Sequence, residues 1–398
     1  MCTPSFDLAR IRRETPGCEK VIHFNNAGAA LMPQQVIDAV ISHLRRESEI
    51  GGYEAADEAE GRLEAAYDSI ARLLNCRRDE VALVENATRA WDMAFYSFPF
   101  SPGDRILTSM AEYASNYISF LQVCQRTGAK VQVVPDDEYG QLDVKALSNL
   151  IDEKTALIAI THVPTNGGLV NPAEEIGAVA RSAGVPFLLD ACQSAGQIPL
   201  DVEHLCCDML AATGRKYLRG PRGTGFLYVR KTLLESLTPA FLDLHSATWV
   251  ANDRYEIRAD ARRFECWETS VAGRLGLGAA VDYALSLGVE RCSPRIVSLA
   301  EALRTRLSSI PGVTVRDLGR RRCGIVSFTV SGSAPEDVCR RLRAHRMNVS
   351  YSPASSTLLD MSRRNLPGLV RASVHYYNTE NEINRFCEAV ARIAAGDA

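Results

Sequence analysis

No C-x-x-C pair and no H-x-x-x-H pair occurs in this sequence, although it carries 12 cysteines and 7 histidines. Those are spacings from which zinc sites are commonly built, so no metal is expected. The cysteines, from Cys2 and Cys18 through to Cys339 and Cys387, mostly sit in apolar stretches. They read as reduced, partly buried thiols and not as a disulfide framework. No apolar run approaches the roughly 20 residues that cross a bilayer. The first stretch, Met1 to Lys20, is polar and charged and lacks the apolar centre of a secretory signal, so a cytoplasmic location is expected. Neither sign of charge dominates: the formal net charge is −3 with 23% charged residues, which argues against electrostatic attraction to nucleic acid or an anionic membrane. Repeats, low-complexity tracts and long linkers are also absent.

What is present is ample core material. With 398 residues, 46% of them hydrophobic, the chain can fill two domains, or one large domain with an appendage. From about residue 80, short apolar runs alternate with amphipathic segments. Val81–Val84, Arg105–Thr108, Lys130–Val134, Ala156–Thr161 and Pro186–Leu189 read as strands buried on both faces. Thr88–Phe98, Tyr117–Arg126, Val144–Asp152 and Pro172–Ala183 between them read as helices. The alternation predicts an α/β fold, a mostly parallel sheet wrapped by helices. An early helix, Gln34–Glu49, should end at Gly51-Gly52. After about Ala261 the pattern changes to long helices, Thr269–Leu287 and Arg295–Ile310, then strand–helix–strand–helix signals. Ser333 with Glu336, and Thr379 with Glu382, read as capping boxes, the second before a helix with Ile383, Phe386, Val390 and Ile393 on its apolar face. The expected division is a large domain at 21–260 and a smaller α+β domain at 261–398, with residues 1–20 packed nearby.

Three polar positions at strand ends carry the chemistry. Ligands of open α/β sheets bind at the carboxyl ends of the strands. Val81–Glu85 runs into Asn86-Ala87-Thr88 at a helix start, which suits a phosphate dianion. Pro186–Leu189 ends in Asp190, an ionised carboxylate that needs a cationic partner. Asp208–Ala212 ends in Thr213-Gly214-Arg215-Lys216, where burial would depress the lysine's pKa. Separately, Asp190 could be a helix cap and Lys216 a surface lysine. Together they match pyridoxal phosphate (PLP), which uses a lysine for its aldehyde, a carboxylate for its pyridinium nitrogen and a cradle for its phosphate. Gly220-Pro221-Arg222-Gly223-Thr224-Gly225 looks like a nucleotide loop, but Phe226–Val229 after it is strand-like, so it reads as a turn framing the pocket. Gly276-Leu277-Gly278 reads as close helix packing, and Cys192 as a packing residue.

These pieces resemble the class V aminotransferase family of fold-type I PLP enzymes, which includes cysteine desulfurases. The likeness runs from His23-Phe24-Asn25-Asn26-Ala27-Gly28 through Glu85-Asn86-Ala87-Thr88, Thr161-His162-Val163-Pro164-Thr165-Asn166-Gly167-Gly168 and Asp190-Ala191-Cys192-Gln193. It continues through Thr213-Gly214-Arg215-Lys216 to Arg371-Ala372-Ser373 and Tyr377-Asn378-Thr379-Glu380. The resemblance implies that Lys216 forms the imine link to the cofactor and later moves the proton at Cα, and that Asp190 pairs with the ring nitrogen. It places Asn166 and Gln193 at the ring hydroxyl or substrate, and Ala87, Thr88 and Thr213 at the phosphate, with Arg215 beside Lys216. Tyr113 sits where many relatives stack a histidine on the ring. Arg371 would bind the α-carboxylate of an amino-acid substrate, with Asn25 or Asn26 bordering it. Thr269 or Ser270 would reach a phosphate across a homodimer interface, although Trp267-Glu268-Thr269-Ser270 departs from the family's glycine-containing pattern.

The resemblance also narrows the reaction. Cysteine desulfurases carry a nucleophilic cysteine shortly before the carboxylate-binding arginine. Asn348–Thr357 contains none, nor does any position from Arg340 to Arg371. Glu49-Ile50-Gly51-Gly52-Tyr53 with Ala55-Ala56, and Arg215–Gly223, resemble the hercynylcysteine sulfoxide lyase branch, which cleaves a Cβ–sulfur bond. β-Elimination is therefore the expected activity. Transamination, epimerisation with Tyr53, Tyr113 or His375 as a second proton donor, and a PLP-free binding module are the other readings.

Overall fold

The computed structural model describes residues 6–396. Met1–Ser5, with Cys2, and Asp397–Ala398 lie outside it. A two-residue strand, β1 (Ile22–His23), comes first. Seven strands then build the main sheet: β2 (Val81–Val84), β3 (Arg105–Thr108), β4 (Lys130–Val133), β5 (Thr155–Thr161), β6 (Phe187–Asp190), β7 (Met209–Thr213) and β8 (Gly225–Val229). Their order is β2-β8-β7-β6-β5-β3-β4, with β8 antiparallel to both neighbours and the other pairs parallel. The central strands are buried on both faces, which is why they read as unbroken apolar runs. The chain passes from β3 out to β4 and returns across β3 to β5. The loops beyond β3 and β5 therefore part, and the crevice at a carboxyl edge opens at such a reversal.

The sequence expectations for these strands are met to within a residue or two. The helices between them run Ala87–Phe95, Ala114–Thr127, Val144–Leu150 and Ala173–Ala183. The early helix Gln34–Ile50 ends at Gly51, whose φ of +103° is a conformation glycine adopts without strain. A 23-residue helix, Gly52–Leu74, follows at once. Its apolar stripe is mostly alanine in its first half, which hid it from the hydrophobic pattern.

A hairpin, β9 (Ala247–Ala251) with β10 (Arg254–Ile257), projects from the main sheet's side of the molecule and leaves Trp249 77% and Tyr255 57% exposed. The second sheet is antiparallel, in the order β11 (Val313–Val315), β12 (Ile325–Val330), β15 (Gly368–Ser373), β14 (Ser350–Pro353). Pro335–Ala344 and Glu380–Ala395 accompany it, and β13 (Met347–Asn348) pairs in parallel with β1. The N-terminal segment is thereby tied to the C-terminal unit; Ile11, Ile22 and Phe24 share its apolar core.

Thr379 and Glu382 form the expected capping box, and Ile383, Phe386, Val390 and Ile393 are buried. The box expected at Ser333 does not form. That helix begins at Pro335, preceded by Ala334, and a proline in the first turn supplies the start. Helix Val271–Leu287 packs on Gln34–Ile50 and Gly52–Leu74. A Cβ at Gly276 would lie 2.6 Å from Val40 Cγ2 and 2.8 Å from Pro221 Cγ, so this glycine allows the close approach that the sequence suggested. The contact to Pro221 also braces the turn Gly220–Gly225 beside the site.

Candidate active site

A cavity of about 460 Å³ opens at the carboxyl ends of β2, β5, β6 and β7. It brings together Ala87, Thr88, Tyr113, Asp190, Gln193, Thr213, Arg215 and Lys216. The turn also reaches it through Arg222 and Gly223.

Asp190 closes β6 and is only 6% exposed. Its Oδ1 accepts from Cys192 N at 2.8 Å and its Oδ2 from Asn116 Nδ2 at 2.9 Å. Burial nevertheless pushes its carboxyl above the usual range. A cation in the cavity would reverse that.

Lys216 follows β7. Burial holds its amine below the ordinary lysine value. Its Nζ lies 3.4 Å from Cys192 Sγ, and burial pushes that thiol up. The segment after the lysine is pinned from below. Arg219 donates to Leu31 O (2.7 Å), Thr15 Oγ1 (2.6 Å) and Tyr376 Oη (3.0 Å), and His375 Nε2 meets Tyr217 O at 3.0 Å.

At the opposite end, Asn86 caps the helix Ala87–Phe95 by accepting from Arg89 N at 2.9 Å. The Ala87 and Thr88 N–H groups precede the first intrahelical bonds and suit an anion. Thr213 donates to Thr224 O at 3.2 Å, and Arg215 donates to Gly28 O. Gln193 Nε2 donates to Ala27 O at 3.2 Å, whereas its Oε1 is buried without a partner. Asn166 donates to Thr357 Oγ1 at 2.8 Å, and its Oδ1 likewise has none. A hydroxyl donor on a bound ring would satisfy the Gln193 oxygen; Asn166 adjoins the lining residue Thr165 but does not itself line the cavity.

Arg371, on β15, stands behind Thr165, which lines the cavity. It donates to Thr165 O (3.0 Å), Thr165 Oγ1 (2.6 Å) and Ser350 Oγ (3.1 Å). Burial pulls its pKa down to about 10.

Two expected residues lie elsewhere. Asn26 is fully buried, and its Nδ2 donates to Ser373 O at 2.6 Å and His23 O at 3.2 Å while its Oδ1 accepts from Tyr377. It joins the N-terminal segment to the second sheet and does not line the cavity. Thr269 lines a separate small crevice with Glu85, Arg89 and Cys266, so within its own chain it does not reach the main cavity. Of the three proton-donor candidates, Tyr113 alone lines the cavity: His375 is buried on Tyr217 O, and Tyr53 is 72% exposed on the helix Gly52–Leu74. Sequence reasoning gave no role to the residues behind Asp190, namely Glu112, Asn116 and Thr161. The one available signal was the four-residue spacing of Glu112 and Asn116 after β3.

A mostly parallel sheet carrying a half-buried lysine, a buried aspartate and a helix-start anion cradle around one cavity defines a fold-type I PLP enzyme. The comparisons agree. The family model described as Aminotransferase class-V matches residues 22–386, and the chain belongs to that family. It is 30% identical to a "Probable cysteine desulfurase" of Methanothermobacter thermautotrophicus over 96% of this chain and 97% of that one. Among solved structures, the apo cysteine desulfurase of Thermococcus onnurineus NA1 superposes with a TM-score of 0.92 at 26% identity, covering 100% of both chains. The cystine C-S lyase C-DES, in complex with its reaction product cysteine persulfide, gives a TM-score of 0.85 at 26% identity over 95% of this chain and 99% of that one. Another structure of C-DES carries glycine covalently linked to the PLP cofactor. Among the described residues, no helix is long and apolar enough to cross a membrane.

Proposed function

We propose that this chain, with PLP held on Lys216, cleaves the carbon–sulfur bond of an S-substituted cysteine or its sulfoxide by β-elimination, yielding pyruvate, ammonia and a sulfur fragment. Asp190 would hold the ring nitrogen and Tyr113 the ring face. Ala87, Thr88 and Thr213 would hold the phosphate, with Arg215 alongside. Gln193 would offer its unpartnered oxygen to the ring hydroxyl, with Asn166 adjoining Thr165. When bound, PLP supplies an electron sink beside the substrate's Cα.

The chain's own groups do the rest. Arg371 clamps the α-carboxylate; its present partners, Thr165 and Ser350, are neutral, so a carboxylate offers it a stronger bond. Lys216, whose charged form burial disfavours, takes the proton from Cα. The sulfur substituent then departs from Cβ with the bonding electrons, and water completes the release of pyruvate and ammonia.

The observation that carries this reading is the wall beside Arg371. The segment Asn348–Thr357 ends β13 and then forms β14 and a short 3₁₀ turn, and it offers Ser350 to Arg371 and Thr357 to Asn166 but no thiol. Cys192, the thiol among the described cavity-lining residues, lies on the floor beside Lys216 with its pKa raised by burial, a poor setting for a sulfur nucleophile. The likeness to a cystine C-S lyase supports the same reading.

A homodimer is part of the proposal. Phe241, Leu244, Trp249, Tyr255 and Trp267 are each more than half exposed around the hairpin β9–β10. So large an apolar surface suits a second copy, and Thr269 lies in the neighbouring crevice, where it could serve the partner's phosphate.

The test incubates PLP-loaded enzyme with cysteine conjugates and their sulfoxides, without a keto acid, and follows pyruvate. Pyruvate release is expected. Alanine and persulfide sulfur from free cysteine would instead favour the activity for which the relatives are named, and amino-acid formation from added keto acids would make it an aminotransferase.

A further inference from the structure

We propose that Glu112 is a positioning residue that fixes Asp190 toward the cofactor ring through Asn116; this rests on the cofactor reading above and not on any particular substrate. Glu112 lies four residues beyond the end of β3 and is 3% exposed. Asn116 stands four residues on, in the first turn of the helix Ala114–Thr127. Its side-chain amide has two hydrogens. One goes to Glu112 Oε1 at 2.9 Å and the other to Asp190 Oδ2 at 2.9 Å, with Thr161 Oγ1 a longer neighbour at 3.4 Å. Two buried carboxylates therefore share one amide.

That arrangement removes an ambiguity. An asparagine amide can present oxygen or nitrogen to a neighbour. Turned over, Asn116 would place its Oδ1 against an acceptor on either side. With Glu112 present, only the orientation that donates to Asp190 is free of such conflict. Cys192 N holds the other oxygen of Asp190. The carboxylate is thus steadied from both sides, with lone pairs left for a ring N–H.

Glu112 is itself held firmly. Oε2 accepts from Thr161 N (3.0 Å), Thr108 Oγ1 (3.1 Å) and Ser109 Oγ (3.4 Å). Oε1 accepts from Tyr113 N at 3.0 Å and from the Thr161 hydroxyl. These donors are neutral, so Glu112 is not half of a buried ion pair. A carboxylate is a costly way merely to fill this space. The bond to Tyr113 N also sets the residue that lines the cavity from the ring face. One side chain therefore orients both the ring-nitrogen carboxylate and the stacking tyrosine.

Each oxygen of Glu112 accepts a backbone N–H, which cannot turn round to accept. In Glu112→Gln the new NH₂ must therefore face one of them, and the side chain has to shift away from Asn116. The experiment loads wild type, Glu112→Gln, Asn116→Ala and the double variant with PLP labelled with ¹⁵N at the ring nitrogen. It records the ring-nitrogen chemical shift, the cofactor dissociation constant by dialysis, and thermal melting as the folding control. Wild type should show the protonated position. Both single variants should move the signal toward the unprotonated position and raise the dissociation constant about tenfold, the scale of one hydrogen bond to a charged group. The double variant should go no further than Asn116→Ala, because Glu112 acts through Asn116. A signal unmoved in Glu112→Gln, or further movement in the double variant, overturns the proposal. Should Glu112→Gln not fold, Asn116→Ala decides: movement supports the bridge and a fixed signal overturns it. A wild type that takes up no label would instead bring down the cofactor reading itself, and this proposal with it.

Discussion

Asp190 lines the cavity and Arg371 stands behind its wall, both as buried charges, but their surroundings differ in kind. Asp190 ends a strand of the main sheet, and both its oxygens are engaged, one by Cys192 N and one by Asn116, which Glu112 holds in turn. Arg371 sits on the second sheet and spends its donors on a backbone carbonyl and two hydroxyls. Burial strains both charges, pushing the Asp190 carboxyl up and pulling Arg371 down to about 10. The floor is therefore built in advance around a resident group. The wall is built from neutral partners that a carboxylate can outbid. A fixed floor and an exchangeable wall are what a family with one cofactor and many reactions requires.

If the floor is the fixed half, breaking it should abolish chemistry regardless of substrate. The largest effect is expected for Lys216→Ala, which loses both the covalent anchor and the base. The purified variant should show no visible imine absorbance and no borohydride-reducible adduct; an adduct on another lysine would relocate the site. Asp190→Asn comes next. It should keep the cofactor but lose well over tenfold in turnover, because the amide cannot hold the ring nitrogen protonated. Turnover within about tenfold of wild type, a barrier change of about 1.4 kcal/mol, would show that the floor does not act this way.

Breaking the wall should instead alter affinity. Arg371→Ala should raise KM for the amino acid by about 10- to 100-fold, since a hydrogen bond to a charged group contributes roughly 1.5–3 kcal/mol. The imine absorbance should be unchanged. A variant that loses that absorbance would place Arg371 on the floor and erase the distinction.

The two halves were also unequally readable in the sequence. Buried parallel strands are short apolar runs, so a polar residue at the end of one stands out. Asp190, Lys216 and Asn86–Thr88 could be found that way, and the cavity gathers them. Helix and strand order followed from the same periodicity, whereas Gly52–Leu74 and the start at Pro335 depended on packing and on a proline that a capping pattern overlooked. Asn26 looked as eligible as Asn166 because an asparagine carries no mark of where it points. Its partners, Ser373 and Tyr377, lie about 350 residues away and are brought near by the pairing of β1 with β13 and by the bridge between Asn25 and Ser373. Thr269 was placed by analogy and faces another crevice of its own chain. Glu112 and Asn116 escaped notice because their role is to hold other residues, and that is a matter of three-dimensional hydrogen bonding and not of local pattern.

The finest test of the comparison is Ser350. It stands opposite Arg371 in the register of β14 and β15, and its hydroxyl accepts from Arg371 Nε at 3.1 Å. Thr165 holds Nη1 by two contacts, so Ser350 supplies the second point that fixes the plane of the guanidinium. Ser350→Ala leaves the charge and the Thr165 contacts but lets the group swing. The bond acts only on the orientation of the guanidinium and not on the substrate, so its loss should cost binding about 0.5–1.5 kcal/mol and KM should rise about 2- to 10-fold. Turnover at saturation should stay the same, because no group that touches Cα has moved; a loss confined to KM is the signature of binding shared by ground and transition states. If turnover falls while KM holds, Ser350 acts at the departing sulfur and the wall takes part in bond breaking as well as recognition.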